Sequence, residues 1–134
     1  MIKLFSFLLF LSASLNAFAN DWIQGKWFFN PAETVKMYRL SGGLDADEQK
    51  YVNFMGKSSI NITVERLTTQ LDKNGPKRPS VIASMNVNGS RAELTIQSLM
   101  GDDKVRIFDK MSDTKIKELD SKTFEVVAIY TRSR

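Results

Sequence analysis

Tyr130 and Arg132 lie two residues apart near the C-terminus, so on an extended strand both side chains leave the same face. A phenol beside a guanidinium can fix an anionic head group by charge-assisted hydrogen bonds if the pair faces a cavity. Trp27, Phe29, Met85 and Phe124 are the large apolar residues that would line such a cavity together with Tyr130.

Other chemistry is thin. The chain has no histidine and no cysteine, which removes the common zinc, copper and iron ligand sets and the Ser-His and Cys-His nucleophile pairs. The carboxylates cluster as Asp102-Asp103 and as Asp45, Asp47 and Glu48, positions that turns and helix caps explain. Asp102, Asp103 and Asp109 lack the Asp-x-Asp-x-Asp-Gly spacing of a calcium loop. A glycosidase-like carboxylate pair is not singled out by any spacing. The expectation is a protein that is not an enzyme and carries no cofactor or metal. Lys104, Arg106, Phe108 and Lys110 alternate as a row, with Lys115 and Lys117 on the next strand. That row reads either as a solvated sheet face or as a docking surface for an acidic partner or anionic head groups. The formal net charge of +4 is spread along the chain, with one short basic cluster at Lys77-Arg78, and nucleic-acid binding is not expected.

These residues need elements to position them. In Asp21 to Phe29, a period of two puts Ile23, Gly25, Trp27 and Phe29 on one face, and Gly25 allows a close approach to the backbone. Asn30-Pro31-Ala32-Glu33 starts a helix with Asn at the N-cap, Pro at the first position and Glu set for a capping box. That helix runs to about Leu40 with Val35, Tyr38 and Ala32 inward, and Ser41-Gly42-Gly43 ends it. Asp45-Ala46-Asp47-Glu48 starts a second helix whose apolar face is Tyr51, Val52 and Met55, ended by Gly56. The pair is expected to plug one end of a barrel, or to act as a lid over a cavity.

From Ser58 the period is two. Ile60, Ile62 and Val64 share a face, and the phase slips after Arg66, which predicts a bulge or bend before Leu67, Thr69 and Leu71. Lys73 to Pro79 reads as a turn whose prolines forbid a central strand. Val81, Ala83, Met85 and Val87 form the next inward face, Asn88-Gly89 a hairpin turn, and Ala92, Leu94 and Ile96 the return. Further strands cover Lys104 to Lys110, Ile116 to Leu119 and Thr123 to Arg132. In the first of these Val105 and Ile107 face opposite to Lys104, Arg106, Phe108 and Lys110. In the last, Phe124, Val126, Ala128 and Tyr130 share one side, and its two apolar faces call for cover on both. The chain is therefore mainly β: an antiparallel up-and-down β-barrel of about eight strands, with a helix-turn-helix between strands 1 and 2.

Residues 1–19 read as a cleaved signal peptide. Lys3 is the positive start, Leu4 to Leu11 the apolar run and Ala17-Phe18-Ala19 the cleavage pattern. Ser12, Ser14 and Asn16 keep the run below the roughly 20 residues of a membrane span, and no cysteine follows for lipidation. Residues 20–134 are then one domain, periplasmic or secreted, not membrane-anchored after cleavage, and stabilised by packing without disulfides.

Gly25-Lys26-Trp27 resembles the Gly-x-Trp signature of the lipocalin and fatty-acid-binding-protein superfamily, the calycins. Tyr130-Thr131-Arg132 is similar to the closing segment of those barrels, and the helical pair resembles the fatty-acid-binding-protein arrangement. The resemblance implies a lipocalin-like barrel in which Arg132 packs across Trp27. It also implies a small hydrophobic or amphipathic anionic ligand. The alternative function is a protein-interaction module (an inhibitor, immunity or envelope-assembly partner) acting through the outer basic sheet face.

Overall fold

Alternating apolar residues need a shared interior, and here they obtain it by closing on themselves. The computed structural model describes residues 21–133. The proposed signal peptide, its cleavage point after Ala19 and the start of the domain at Asn20 lie outside the described residues. The elements are β1 (Gly25–Phe29), α1 (Pro31–Leu40), α2 (Ala46–Met55), β2 (Ser59–Ile62), β3 (Arg66–Gln70), β4 (Lys77–Asn88), β5 (Arg91–Ile96), β6 (Lys104–Ser112), β7 (Lys115–Leu119) and β8 (Val126–Thr131). Each strand pairs antiparallel with the next, and β8 returns to β1, so the barrel is closed in chain order. Among the described residues no helix is long and apolar enough to cross a membrane.

The interior is the face expected from β1. Ile23, Trp27 and Phe29 are buried together with Ile60, Ile62, Leu67, Ala92, Leu94, Phe108, Ile116, Ala128 and Tyr130. The expected C-terminal strand is covered on both faces: Ala128 and Tyr130 point into this core, and Ile129 on the other side is also fully buried. Because the strands alternate in direction, the β2–β3, β4–β5 and β6–β7 turns gather at one end. The helices and the remaining loops gather at the other. The first is the closed end and the second is the mouth.

At the closed end, Gly25 has φ +107°, and a Cβ there would lie 2.6 Å from Arg132 Nη1. The glycine is therefore required twice, for its backbone and for the close approach of the guanidinium. Arg132 lies with Cζ 3.5 Å from the centre of the Trp27 ring, donates from Nη1 to the Gln24 carbonyl and from Nη2 to the Trp22 carbonyl. Trp27 Nε1 donates to the Ile23 carbonyl at 2.8 Å, so the buried indole is satisfied.

Several local expectations change. Residues 58–71 are not one bent strand but a hairpin. The Arg66 N–H donates to Thr63 Oγ1 at 3.1 Å and the Thr63 N–H to the Arg66 carbonyl at 2.9 Å, leaving Val64 exposed at the turn. A threonine hydroxyl closes this turn without glycine or proline. Pro79, expected in a turn, is within β4 opposite Thr68. The Ile82 N–H bonds to Glu65, which makes Val81–Arg66 and hence Pro79–Thr68 the non-hydrogen-bonded pairs. The missing N–H of Pro79 therefore points away from β3, on the side where β5 has already ended, at the Ile82–Ile96 pair. A bulge at Ala83 then reverses the phase of β4: Ile82 is buried, Val81 and Ala83 are exposed, and Met85 and Val87 pack on the core.

The helices follow their caps. Asn30 accepts from the Glu33 N–H, and α2 has the full capping box between Asp45 and Glu48. In α1 the reciprocal half of the box is replaced. The Asn30 N–H bonds to the Ile129 carbonyl and the Glu33 carboxylate pairs with Lys115 Nζ at 3.4 Å. The buried face of α1 is Thr34 and Tyr38, with Val35 partly buried and Ala32 exposed.

Candidate functional site

Arg106 and Glu118 form the polar centre of the mouth. Leu94, an inward residue, sits opposite Arg106 on β5, and Ala128, also inward, sits opposite Glu118 on β8. Both charged side chains therefore leave the inner face of the barrel. Arg106 Nε donates to Glu118 Oε2 at 2.8 Å and Nη2 to Oε1 at 2.6 Å, a bidentate pair. A quarter of the Arg106 side chain and about a tenth of that of Glu118 remain accessible, 25% and 11%. The Tyr130 hydroxyl donates to Glu118 Oε1 at 3.4 Å.

Aromatic rings surround the pair. Phe29 contacts Tyr51 and Tyr130 edge-on at 6.0 and 5.8 Å, and Phe108 contacts Tyr130 at 6.3 Å. The Arg106 guanidinium stands 5.4 Å from the Phe108 ring centre. Burial opposes the charge on Arg106, but the Glu118 carboxylate outweighs it and raises the guanidinium pKa. Burial and then the same carboxylate push the Tyr51 phenol up to about 12 and that of Tyr130 well above its ordinary value. Both phenols are thus held neutral as hydrogen-bonding groups.

This wall opens onto a cleft of about 1010 Å³ at the mouth. Tyr51 of α2, Ile96 of β5, Arg106 and Glu118 border it from within, and the charged loop residues Asp102, Asp103, Lys104 and Lys122 border it with Phe124 from the rim. α2 thus stands beside the opening, with Val52 buried in the core and Tyr51 turned to the charged pair.

The expected site residues separate into three places. Trp27 and Arg132 are spent on each other at the closed end. The guanidinium is committed to the indole and two carbonyls, and burial lowers its pKa, so it does not join Tyr130 in a head-group clamp. Phe29 and Tyr130 are brought together, with Met85 packed against the same core. Phe124 leaves the inner face altogether. Asp120 Oδ1 accepts from the Lys122 and Thr123 N–H groups, and the resulting turn holds Phe124 at φ +60°, half exposed, 5.4 Å from the Arg91 guanidinium. The last strand therefore begins at Val126 rather than Thr123.

The basic row of β6 is also corrected. Arg106 and Phe108 point inward, so Lys104, Arg106, Phe108 and Lys110 do not form an outer docking face, and Lys110 pairs with Asp113. On the true outer face Arg91 forms a bidentate contact with Asp109, and Lys117 lies opposite that aspartate. Phe108 carried the signal for the correct phase: the largest apolar side chain of β6 outweighs Val105 and Ile107. Glu118 shares its face with Ile116 for the same reason.

The fold and site define an eight-stranded up-and-down barrel with a charged, tyrosine-flanked recess at its helix-covered mouth. Comparisons with protein-family models, with curated proteins and with solved structures return no match.

Proposed function

We propose that this chain is an exported, calycin-like binding protein that holds a small amphipathic ligand in the mouth cleft, without chemistry. The observation that carries this reading is the Arg106–Glu118 pair, flanked on the inner face by aromatic rings and bordering open space. Such a pair adds little to stability, because removing both charges from water offsets most of their attraction. Its value lies in recognition: a few convergent polar groups at the edge of an apolar recess fix the orientation of a ligand. The Arg132–Trp27 closure and the two helices after β1 support the calycin resemblance.

The charge balance narrows the head group. Glu118 already neutralises Arg106, so a permanent anion has to displace that carboxylate from the guanidinium. A head group that both accepts from Arg106 and donates to Glu118, such as a hydroxyl, an amide or a protonated acid, bridges the pair without displacement. Its apolar part lies along Tyr51 and Ile96.

Titration with a fluorescently tagged long-chain alcohol and its matching carboxylate tests the reading. The alcohol is expected to bind more tightly than the carboxylate at neutral pH. The double substitution Arg106→Met with Glu118→Leu is expected to weaken the alcohol by about tenfold or more. No binding by the native protein, or equal binding by the double variant, sinks the proposal.

A further inference from the structure

The outer face of β1–β4 carries a second constellation, on the other side of the barrel wall from the core. Cross-strand pairing sets two rows side by side: Lys26, Asn61 and Thr68 in one, and Phe28, Ser59, Gln70 and Lys77 in the other. Two adjoining hollows of about 210 and 260 Å³ lie over them and share Lys26, Ser59 and Gln70 as walls. Lys77 closes one hollow and Lys73 the other. No acidic side chain lines either.

Three of the cations outside the barrel's ion pairs lie together on this face. Arg91, Arg106, Lys110 and Lys115 each have a carboxylate partner. Among the described residues no carboxylate lies within salt-bridge distance of Lys26, Lys73 or Lys77, so three cations converge on one concave polar surface. The polar groups are also held in place. Gln70 Nε2 donates to the Lys73 carbonyl at 3.0 Å and to the Gly75 carbonyl at 2.9 Å. That spends both amide hydrogens, leaves the amide group of a groove-lining residue only its oxygen to offer, and ties the turn bearing Lys73 against it. The Lys26 ammonium stands 5.2 Å from the Phe28 ring centre, which steadies it over an aromatic face.

We propose that this groove binds a phosphate group carried on a polyhydroxylated scaffold. The lysines act as point charges for the phosphate, the usual use of ammonium groups in place of forked guanidinium contacts. Ser59, Asn61 and Thr68 meet the hydroxyls, for which donors and acceptors in alternation are the matching chemistry. A nucleic acid would need a longer basic stripe with several stacking rings, and this face offers three lysines and the single ring of Phe28. The scaffold is either a free sugar phosphate or the headgroup of a lipid, and the two share this chemistry.

NMR titration of the Asn61, Thr68 and Gln70 resonances with glucose 6-phosphate tests the site, with glucose and inorganic phosphate as half-ligands. Glucose 6-phosphate is expected to shift them with Kd of about 1 mM or tighter, and each half-ligand to bind about tenfold or more weakly. The double substitution Lys26→Gln with Lys77→Gln, at exposed positions, is expected to weaken binding by about tenfold or more and leave the thermal midpoint unchanged. Vesicles containing phosphatidylglycerol provide the second arm. Association that the lysine substitutions abolish, without a response to the free sugar phosphate, supports the site and assigns the headgroup as its source. Silence from every probe, or binding that survives both substitutions, overturns it. The mouth cleft is untouched by these changes, so either site can fail alone.

Discussion

Arg106 lies diagonally across from Glu118, because Phe108 is the residue directly opposite Glu118 on the β6–β7 ladder. A long guanidinium spans that diagonal, and the bidentate geometry follows from reach and planarity. Removing one partner and removing both have different consequences. Glu118→Gln leaves a mostly buried guanidinium without its counter-charge and is expected to cost about 3 kcal/mol in urea unfolding, near the low end because part of the side chain stays wet. Arg106→Met with Glu118→Leu fills the same space with apolar atoms and is expected to lie within about 1 kcal/mol of the native protein. If the double variant is as unstable as the single one, the pair is a structural device and its assignment to recognition fails. The same logic of committed groups explains why Arg132 takes no part in the mouth: its face is stacked on Trp27 and two of its N–H groups are bound at the closed end.

Helix α1 completes the seam that β1 leaves short. β1 pairs with β8 at only two positions, Phe28 with Thr131 and Phe29 with Tyr130. Beyond them the helix supplies what a longer strand would have supplied. The Asn30 N–H donates to the Ile129 carbonyl, Thr34 Oγ1 accepts from the Ile129 N–H at 2.9 Å, and the Tyr38 hydroxyl donates to the Val127 carbonyl. Buried backbone groups left unpaired are costly, so the barrel closes through side chains of a helix where main chain runs out. Thr34→Val keeps the shape and deletes the acceptor. It is expected to cost about 1–3 kcal/mol and to speed amide exchange at Ile129 well beyond its neighbours. Unchanged protection at that amide would mean that something other than Thr34 satisfies it.

The three tyrosines of the sequence, Tyr38, Tyr51 and Tyr130, all face the barrel or its helical cover, and all are shifted in the same direction. Burial, followed by nearby acidic groups, raises Tyr38 and Tyr51 from 10.0 to about 12, and Tyr130 well above its ordinary value. A folded-state pKa above the unfolded value means that the fold favours the neutral phenol. The corresponding stability is fully present below pH 10 and is lost as pH rises from there through about 12. Absorbance titration is therefore expected to show no phenolate in the folded barrel near pH 10, with all three tyrosines ionising as the barrel unfolds. A reversible titration of any one of them near its ordinary value, with the fold intact, would contradict this burial.

The strand count, the helical pair after β1, both helix caps and the inward face of the first strand were legible in residues 21–134, because periodicity and capping are local properties of the chain. The bulge at Ala83 was not, since cross-strand register decides it, and neither were the hairpin at Thr63 and the turn that expels Phe124, which rest on the hydrogen bonds of single side chains and carry no glycine or proline signal. The largest reversal was the phase of β6. Alternation alone says that Arg106 opposes Val105 and Ile107 but not which set is inside. Closure of the barrel decided it, by placing Phe108 in the core and setting an arginine within reach of an inward glutamate two strand positions away. Sequence determined the barrel; only the ring of neighbouring strands determined which charges it encloses, because a side chain's partners across a sheet are set by register and not by its own neighbours in the chain.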